Sequence, residues 1–477
     1  MSDTTVIRGA DWIIGWNGER HVFLRDGDLA FKDGVVVQAG GRFDGVADVE
    51  ISGAGRMVMP GLVNIHSHPT SEPLRKGVTD ETRSPGFWHS SLYEFLTVIA
   101  NDADGVAPSM RVAFGELALS GVTTVVDLSI PFDGWLEIMA ESGLRCVAAP
   151  MFRDARWFTR NGHDLEYDWD EAEGRRGFET AQRLIELARQ HPCGRLSGMV
   201  SPAQIDTCSA DLLRDAHDYA GERDVPFQTH ISQSMTEFHE MIRRHGQTPV
   251  QWMDGLGILD SRSILGHAIF LDHHPWLHWT TRDDKRRIAA AGASVAHCPT
   301  VFSRRGITLR TLGGYLRDGI NVGIGTDTYP HDFLDEMRSA LMYARVIGES
   351  VDDLETSDVF DAATIGGARA LGRLDLGRLA PGGAADIVVV DVTHPAMRPV
   401  RDPLRSLLYV AGSRAVRDVY VAGAQIVAEG RLLTMDMDSA LDELQAAQAR
   451  SLAQVPQRDW AGRTADDLAP LSLSVED

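Results

Sequence analysis

Apolar positions along this chain change their spacing twice. Over the first ~55 residues they come in short β-type runs, TTVIRGADWII, HVFLRDGDLAFKDGVVVQAG and DVEISGAGR, broken by Gly, Asp and Asn turns. The same texture returns near the C-terminus in ADIVVVDV and VRDVYVAGAQIVAEG, with a turn at Pro381-Gly382-Gly383. Between these ends, apolar runs such as MVMPGLVNIH, VTTVVDLS, LRCVAAP, RLSGMVSP, VPFQTH, SILGH, ASVAHCP and INVGIGTD alternate with longer stretches. Those over 173–190, 210–222 and 283–291 read as amphipathic helices. Near-continuous apolar runs suit strands covered by helices on both faces, as in parallel sheets.

The alternation predicts an α/β protein: a (β/α)₈ TIM-type barrel over 59–377. A small β-sandwich domain is expected from both chain ends, 1–58 with 378–434, followed by a C-terminal helix and tail over 435–477. An open doubly wound sheet would show the same alternation. No GxGxxG or GxxxxGK[ST] turn follows any of the runs, however, which removes the usual dinucleotide and P-loop reasons for it.

Composition narrows the function classes. The chain has 477 residues with 46 basic and 68 acidic side chains, a formal charge of −22. That balance excludes a general nucleic-acid binder, which needs clustered Lys and Arg, and argues against anionic membrane surfaces. No apolar stretch approaches the ~18 residues of a spanning helix, and no signal-peptide pattern opens the chain. Cys146, Cys193, Cys208 and Cys298 are widely spaced, without a CxxC pair. A cytoplasmic protein acting on a small molecule is the expectation.

His66 and His68 end the first barrel run. Residues i and i+2 on a strand point the same way, so both imidazoles face one point. Later runs end alike: His230 closes VPFQTH, His267 closes SILGH, and Asp327 follows NVGIGTD. Singly, a strand-end His is more often a hydrogen-bonded structural residue, and an Asp after Gly-Thr is often a turn or cap. Together they occupy the ends of strands one, five, six and eight, which converge in a barrel on the side where such folds carry their chemistry. Imidazoles with a carboxylate form an N/O donor set suited to Zn²⁺ or Fe²⁺.

The ordered set VMPGLVNIHSH, FQTHISQSMTEF, ILGHAIFLD, HCPT and GIGTDTYP resembles the amidohydrolase superfamily, in its branch of cytosine deaminases, guanine deaminases and triazine chlorohydrolases. GRLAPGGAADIVVVD resembles that branch's return into its small β domain. The resemblance implies one divalent metal ion, Zn²⁺ or alternatively Fe²⁺, bound by His66, His68, His230 and Asp327. It places His267 toward the substrate, and Asp327, touching the same metal-activated water, is then the expected base. Two-metal members use a carboxylated Lys at the end of strand four, and 195–209 contains no Lys.

Two departures bear on the reaction. The branch carries a proton-shuttling Glu three residues after the strand-five His, where this chain has Gln233. Gln cannot exchange a proton at neutral pH, but its amide can orient a substrate. After His297 the branch carries an Asn a few residues on, where this chain places Phe302. Aromatics are dense in the stretch 151–172, with five in 22 positions of a chain that is 7% aromatic. Trp88, Phe152, Trp157, His297 and Phe302 are the candidate substrate contacts. Such aromatics also form subunit interfaces, and a homo-oligomer, dimer or higher, is expected. Arg153, Arg156 and Arg160 read as a solvated basic face.

The reading that follows is a mononuclear metal-dependent hydrolase cleaving a non-peptide C–N bond (amide, urea or carbamate) in a small apolar or aromatic substrate. Asp327, His267 and Gln233 are its catalytic candidates. The alternatives are a deaminase or chlorohydrolase acting on a heteroaromatic ring, and a non-catalytic ligand-binding barrel.

Overall fold

The computed structural model describes residues 3–310 and 312–476. The central region holds eight parallel strands in two arcs. Leu62–Ser67, Val122–Ser129, Arg145–Phe152 and Leu196–Gly198 form the first, with Ser201–Pro202 continuing along the third strand. Phe227–Ile231, Ser263–His267, Ser294–His297 and Asn321–Ile324 form the second. Isolated parallel bridges Val200–Phe227, Gln204–His230 and Ser67–Asp327 span the two seams between the arcs. This is the TIM-type α/β arrangement. Strands one, two, five and six are buried at every position, as their unbroken apolar runs require.

The helices cover the strands as the sequence periods predict. Glu171–Arg189 is N-capped by Asp170, whose side chain accepts from the Glu173 amide, and it buries Phe178, Ala181, Ile185 and Ala188 along one stripe. Ala210–Arg223 and Asp284–Ala291 fall within a residue or two of the predicted spans. No helix among the described residues is long and apolar enough to cross a membrane.

Strands from both chain ends meet in one nine-stranded sheet, where a sandwich was expected. Its junction is Ile387–Asp391, antiparallel to Arg56–Pro60 with Val389 opposite Val58. Arg56–Pro60 runs directly through Gly61 into strand one. A Cβ at Gly61 would lie 2.0 Å from Thr123 Oγ1, so only glycine allows this approach. Arg145 on strand three bonds Asp386 through Nε at 2.7 Å and fastens the sheet to the barrel. The helix expected near the C-terminus is Met437–Ala453, and the tail after it contributes buried apolar residues. Met437–Ala453 and the turns after it bury Ala440, Leu444, Ala447, Val455 and Leu468 against Leu74, Phe95, Val98 and Ile99.

Deleting residues 378–477 strips Arg56–Pro60 of its antiparallel partner and leaves an apolar edge on the side away from Thr5–Trp16. The truncated chain should partition into the insoluble fraction. A soluble product with native far-UV circular dichroism would show the pairing to be dispensable.

Candidate functional site

Four predicted ligands converge at the strand ends. One ligand atom from each of His66, His68, His230 and Asp327 lies within 4.8 Å of all the others. His68 Nε2 is 3.1 Å from His230 Nε2 and 3.2 Å from Asp327 Oδ1, and His66 Nε2 is 3.4 Å from the same oxygen. Each imidazole turns its other nitrogen to a fixed acceptor at 2.6 Å. His66 Nδ1 meets Gln228 Oε1, His68 Nδ1 meets the Leu128 carbonyl, and His230 Nδ1 meets the Ala203 carbonyl. Carbonyl acceptors hold the proton on Nδ1 and leave the Nε2 lone pairs facing inward.

The donor set fits a metal ion. Atoms bound at about 2.0–2.1 Å around a tetrahedral centre lie about 3.3 Å apart, which matches the observed spacings. His66 is fully buried, yet its Nε2 has no hydrogen-bond partner among the described residues. An orphaned nitrogen of that kind is unfavourable in a dry core but suits a ligand. Electrostatics agree at His230 and Asp327, whereas at His68 burial is outweighed by the neighbouring Asp327, which raises the imidazole. Burial and the neighbouring imidazoles push His230 well below its ordinary pKa. Burial alone would raise the Asp327 carboxyl, but the imidazoles of His66 and His68, with Nε2 at 3.4 and 3.2 Å from Oδ1, hold it well below the usual range. Deprotonated imidazole and ionised carboxylate are the metal-binding forms.

A cavity of about 910 Å³ opens from this cluster, and His68, His230, His267, Gln233 and Asp327 all line it. His267 ends strand six with φ +83°, and Asp327 follows strand eight with φ +57°. Left-handed backbone at two non-glycine residues of one site is strain held by the surrounding fold. Burial brings His267 down to about 3, so its ring is neutral at pH 7. Gln233 is 2% exposed and its amide Nε2 has no partner among the described residues. The Gln233 backbone N–H donates to Glu237 Oε2 at 3.1 Å, which fixes the turn that carries it.

The aromatic candidates divide. Trp157 and Phe302 line the cavity, and Phe302 meets the His267 ring edge-on at 4.6 Å. Trp88 is 56% exposed and lies outside the cavity lining. Phe152 packs 5.0 Å from Phe178 in the core, because strand alternation turns it away from the side on which Met151 lines the cavity. His297 is buried beneath the lining, with burial lowering it to about 3. Arg153 and Arg156, read from sequence as a solvated face, contribute to the cavity wall. Sequence reading missed Gln228. Its signal was available, since it sits two residues before His230 on the same strand face.

The family model described as "Amidohydrolase family" matches residues 57–426. A 5′-deoxyadenosine deaminase of Methanosphaera stadtmanae is 26% identical over 401 residues, 83% of this chain and 88% of that protein. A 5-methylthioadenosine/S-adenosylhomocysteine deaminase of Nitratidesulfovibrio vulgaris is 29% identical over 438 residues, covering 88% and 92%. A solved adenosine deaminase from Xanthomonas campestris with bound zinc superposes at TM-score 0.80 and 25% identity, over 94% of this chain and 98% of that one. An atrazine chlorohydrolase from Arthrobacter aurescens complexed with zinc shares the fold at TM-score 0.76 and 23% identity, over 93% and 100%.

If Gln228 sets the tautomer of His66, Gln228→Leu should weaken metal affinity by about 10- to 100-fold while leaving the fold intact, the range for residues that orient ligands. His68→Ala should lose most of its metal outright. Both are read by elemental analysis after dialysis against a graded chelator. Wild-type metal retention in either variant would contradict the assignment.

Proposed function

The chain belongs to the amidohydrolase family, and we infer that it is a hydrolase of non-peptide carbon–nitrogen bonds with a divalent metal cofactor. Within that class, we propose that it cleaves an acyl-type bond, an amide, urea or carbamate, in a small substrate with an apolar or aromatic part. We assign the cofactor as a single zinc ion held by His66, His68, His230 and Asp327. The zinc bound in the similar structures supports its identity, and the absence of Lys from 195–209 supports its number. When bound, such an ion supplies Lewis-acid activation of water, the effect that lowers its pKa from about 15.7 to about 7.

The protein groups then divide the work. Asp327 directs Oδ1 at both His66 and His68. As a carboxylate it accepts the proton of the attacking water and returns it to the leaving nitrogen. His267, held neutral by burial, donates one N–H to the substrate oxygen as negative charge develops there. Gln233 donates from its unpartnered amide to a substrate acceptor without releasing a proton. Trp157 and Phe302 supply apolar wall. The observation that carries the acyl reading is Gln233 itself. Ring deamination needs a ring nitrogen protonated as its carbon is attacked, whereas acyl cleavage moves one proton, which Asp327 alone manages.

The relatives favour a second reading. Their names specify deamination of adenosine-type nucleosides, and the cavity is large enough for a nucleoside. In that case another acid replaces the missing Glu.

The division at 1–58 with 378–434, 59–377 and 435–477 remains our proposal for the domains, as do homo-oligomerisation and a cytoplasmic setting. Four unpaired cysteines support the latter.

Asp327→Asn keeps an oxygen donor but removes the proton acceptor. Turnover of the metal-loaded variant should fall about 100-fold or more, with metal content reduced less. Near-wild-type turnover would refute the base role. Gln233→Ala should lower kcat/KM about 10- to 100-fold, the effect of one or two lost hydrogen bonds, with both limbs of the pH–rate profile unmoved. Zinc-loaded enzyme assayed for ammonia against adenosine, 5′-methylthioadenosine and guanine, and for amine release against phenylurea and aryl carbamates, decides between the readings. Faster ammonia release from the rings would overturn the acyl assignment.

A further inference from the structure

Asp206 lies outside the cavity lining, yet it joins the elements that shape it. The strands Ala155–Phe158 and Glu166–Trp169 form a separate two-stranded hairpin, in which Trp157 stands directly opposite Tyr167. Opposed residues in an antiparallel pair project to the same face. Here both reach one oxygen: Trp157 Nε1 donates to Asp206 Oδ2 at 2.9 Å and Tyr167 OH donates to it at 2.7 Å. Asp206 is fully buried, and its other carboxylate oxygen has no partner among the described residues. Arg244 completes the dock. It donates to the Asp206 carbonyl at 2.6 Å, and its guanidinium lies 4.0 Å over the Tyr167 ring and 5.1 Å over Trp169.

The hairpin is thereby tied to the turn bearing Gln233. Trp157 meets Tyr93 edge-on at 4.9 Å, and the Tyr93 hydroxyl shares a 2.6 Å hydrogen bond with Ser234 Oγ. Ser234 caps Met235–His245, the helix that also supplies Arg244. A carboxylate buried at this cost needs a return, and two aromatic donors on one oxygen are what it gains.

We infer that Asp206 is a positioning residue for substrate selection: it pins the 155–169 hairpin so that the Trp157 indole stands as a fixed wall of the cavity. The inference rests on the hydrolase reading for its kinetic consequence, but the pin itself is a physical claim about the free protein. Substrates with a planar ring or aryl group gain most from a wall held in place, because no ordering of Trp157 is left to occur on binding.

Two measurements on the full-length, zinc-loaded chain test it. The first is hydrogen–deuterium exchange. Asp206→Ala should speed exchange at amides of 155–169 by about 10-fold or more, with barrel strands unchanged. Trp157→Phe combined with Tyr167→Phe, which keeps Asp206 but removes both donors, should do the same. Asp206→Asn retains an acceptor oxygen and should restore slow exchange. The second is kinetic, with 5′-methylthioadenosine and phenylurea as probes. Asp206→Ala should raise KM about 10-fold and change kcat less than 3-fold, with metal content unaltered. Adding Tyr167→Phe, at a residue outside the cavity lining, should cost less than a further 2-fold, since its hydrogen bond is already lost with Asp206. Unchanged hairpin exchange in Asp206→Ala overturns the pin, as do multiplying effects in the double variant. If Asp206→Ala does not fold, exchange in the Trp157→Phe, Tyr167→Phe variant decides the pin alone. Should neither probe turn over in the wild type, the exchange result still decides the pin, while the hydrolase reading fails separately.

Discussion

The site depends on three imidazoles whose outer nitrogens are occupied. Gln228 and the carbonyls of Leu128 and Ala203 each take one Nδ1 proton at 2.6 Å. That leaves three Nε2 lone pairs and one carboxylate directed at a common point in a buried region. Without those acceptors the rings would rotate or protonate, and the cluster would be a set of mutually repelling buried groups. Two of the three acceptors are backbone atoms at the ends of barrel strands, so the tautomers are held by the sheet itself.

This constraint explains why the seams of the barrel matter. Ser67 bridges to Asp327, and Gln204 bridges to His230. The ligands therefore sit where the two arcs meet, and the spacing of the arcs sets the spacing of the donors. The nine-stranded end sheet acts on the same geometry from a distance. It feeds strand one through Gly61 and holds strand three through Arg145 and Asp386.

The cavity wall is built separately from the His–Asp cluster. The cavity wall comes from loops after the strands, and those loops are held by side chains remote in sequence. The C-terminal helices illustrate this. Gln448 donates to the carbonyls of Leu74 and Lys76, Ser451 Oγ to Ala100, and Arg450 pairs with Asp102 at 2.6 Å. The stretch from 72 to 105 has only short 3₁₀ turns of regular structure, and these contacts satisfy backbone groups that it leaves open. The cluster and the cavity wall thus rest on different parts of the chain.

Much of the protein was legible in the sequence because its signals are local. A period of two and a period of 3.6 mark strands and helices, and ligands at i and i+2 on a buried strand point one way whatever surrounds them. Thus His66, His68, His230, His267 and Asp327 were placed at strand ends, which the structure brings together, and strands of both chain ends were expected to pair, as Arg56–Pro60 and Ile387–Asp391 do. What the sequence did not decide is which of several similar side chains faces the cavity. Trp88 and Trp157 are both aromatics in loops after strands, yet one is exposed and the other is pinned in the wall by Asp206, 49 residues away. Phe152 follows Met151 by one position and enters the core. The Leu128 and Ala203 carbonyls bear no side-chain signature at all. Such choices depend on contacts between residues far apart in the chain, and only the folded backbone brings those groups within bonding distance.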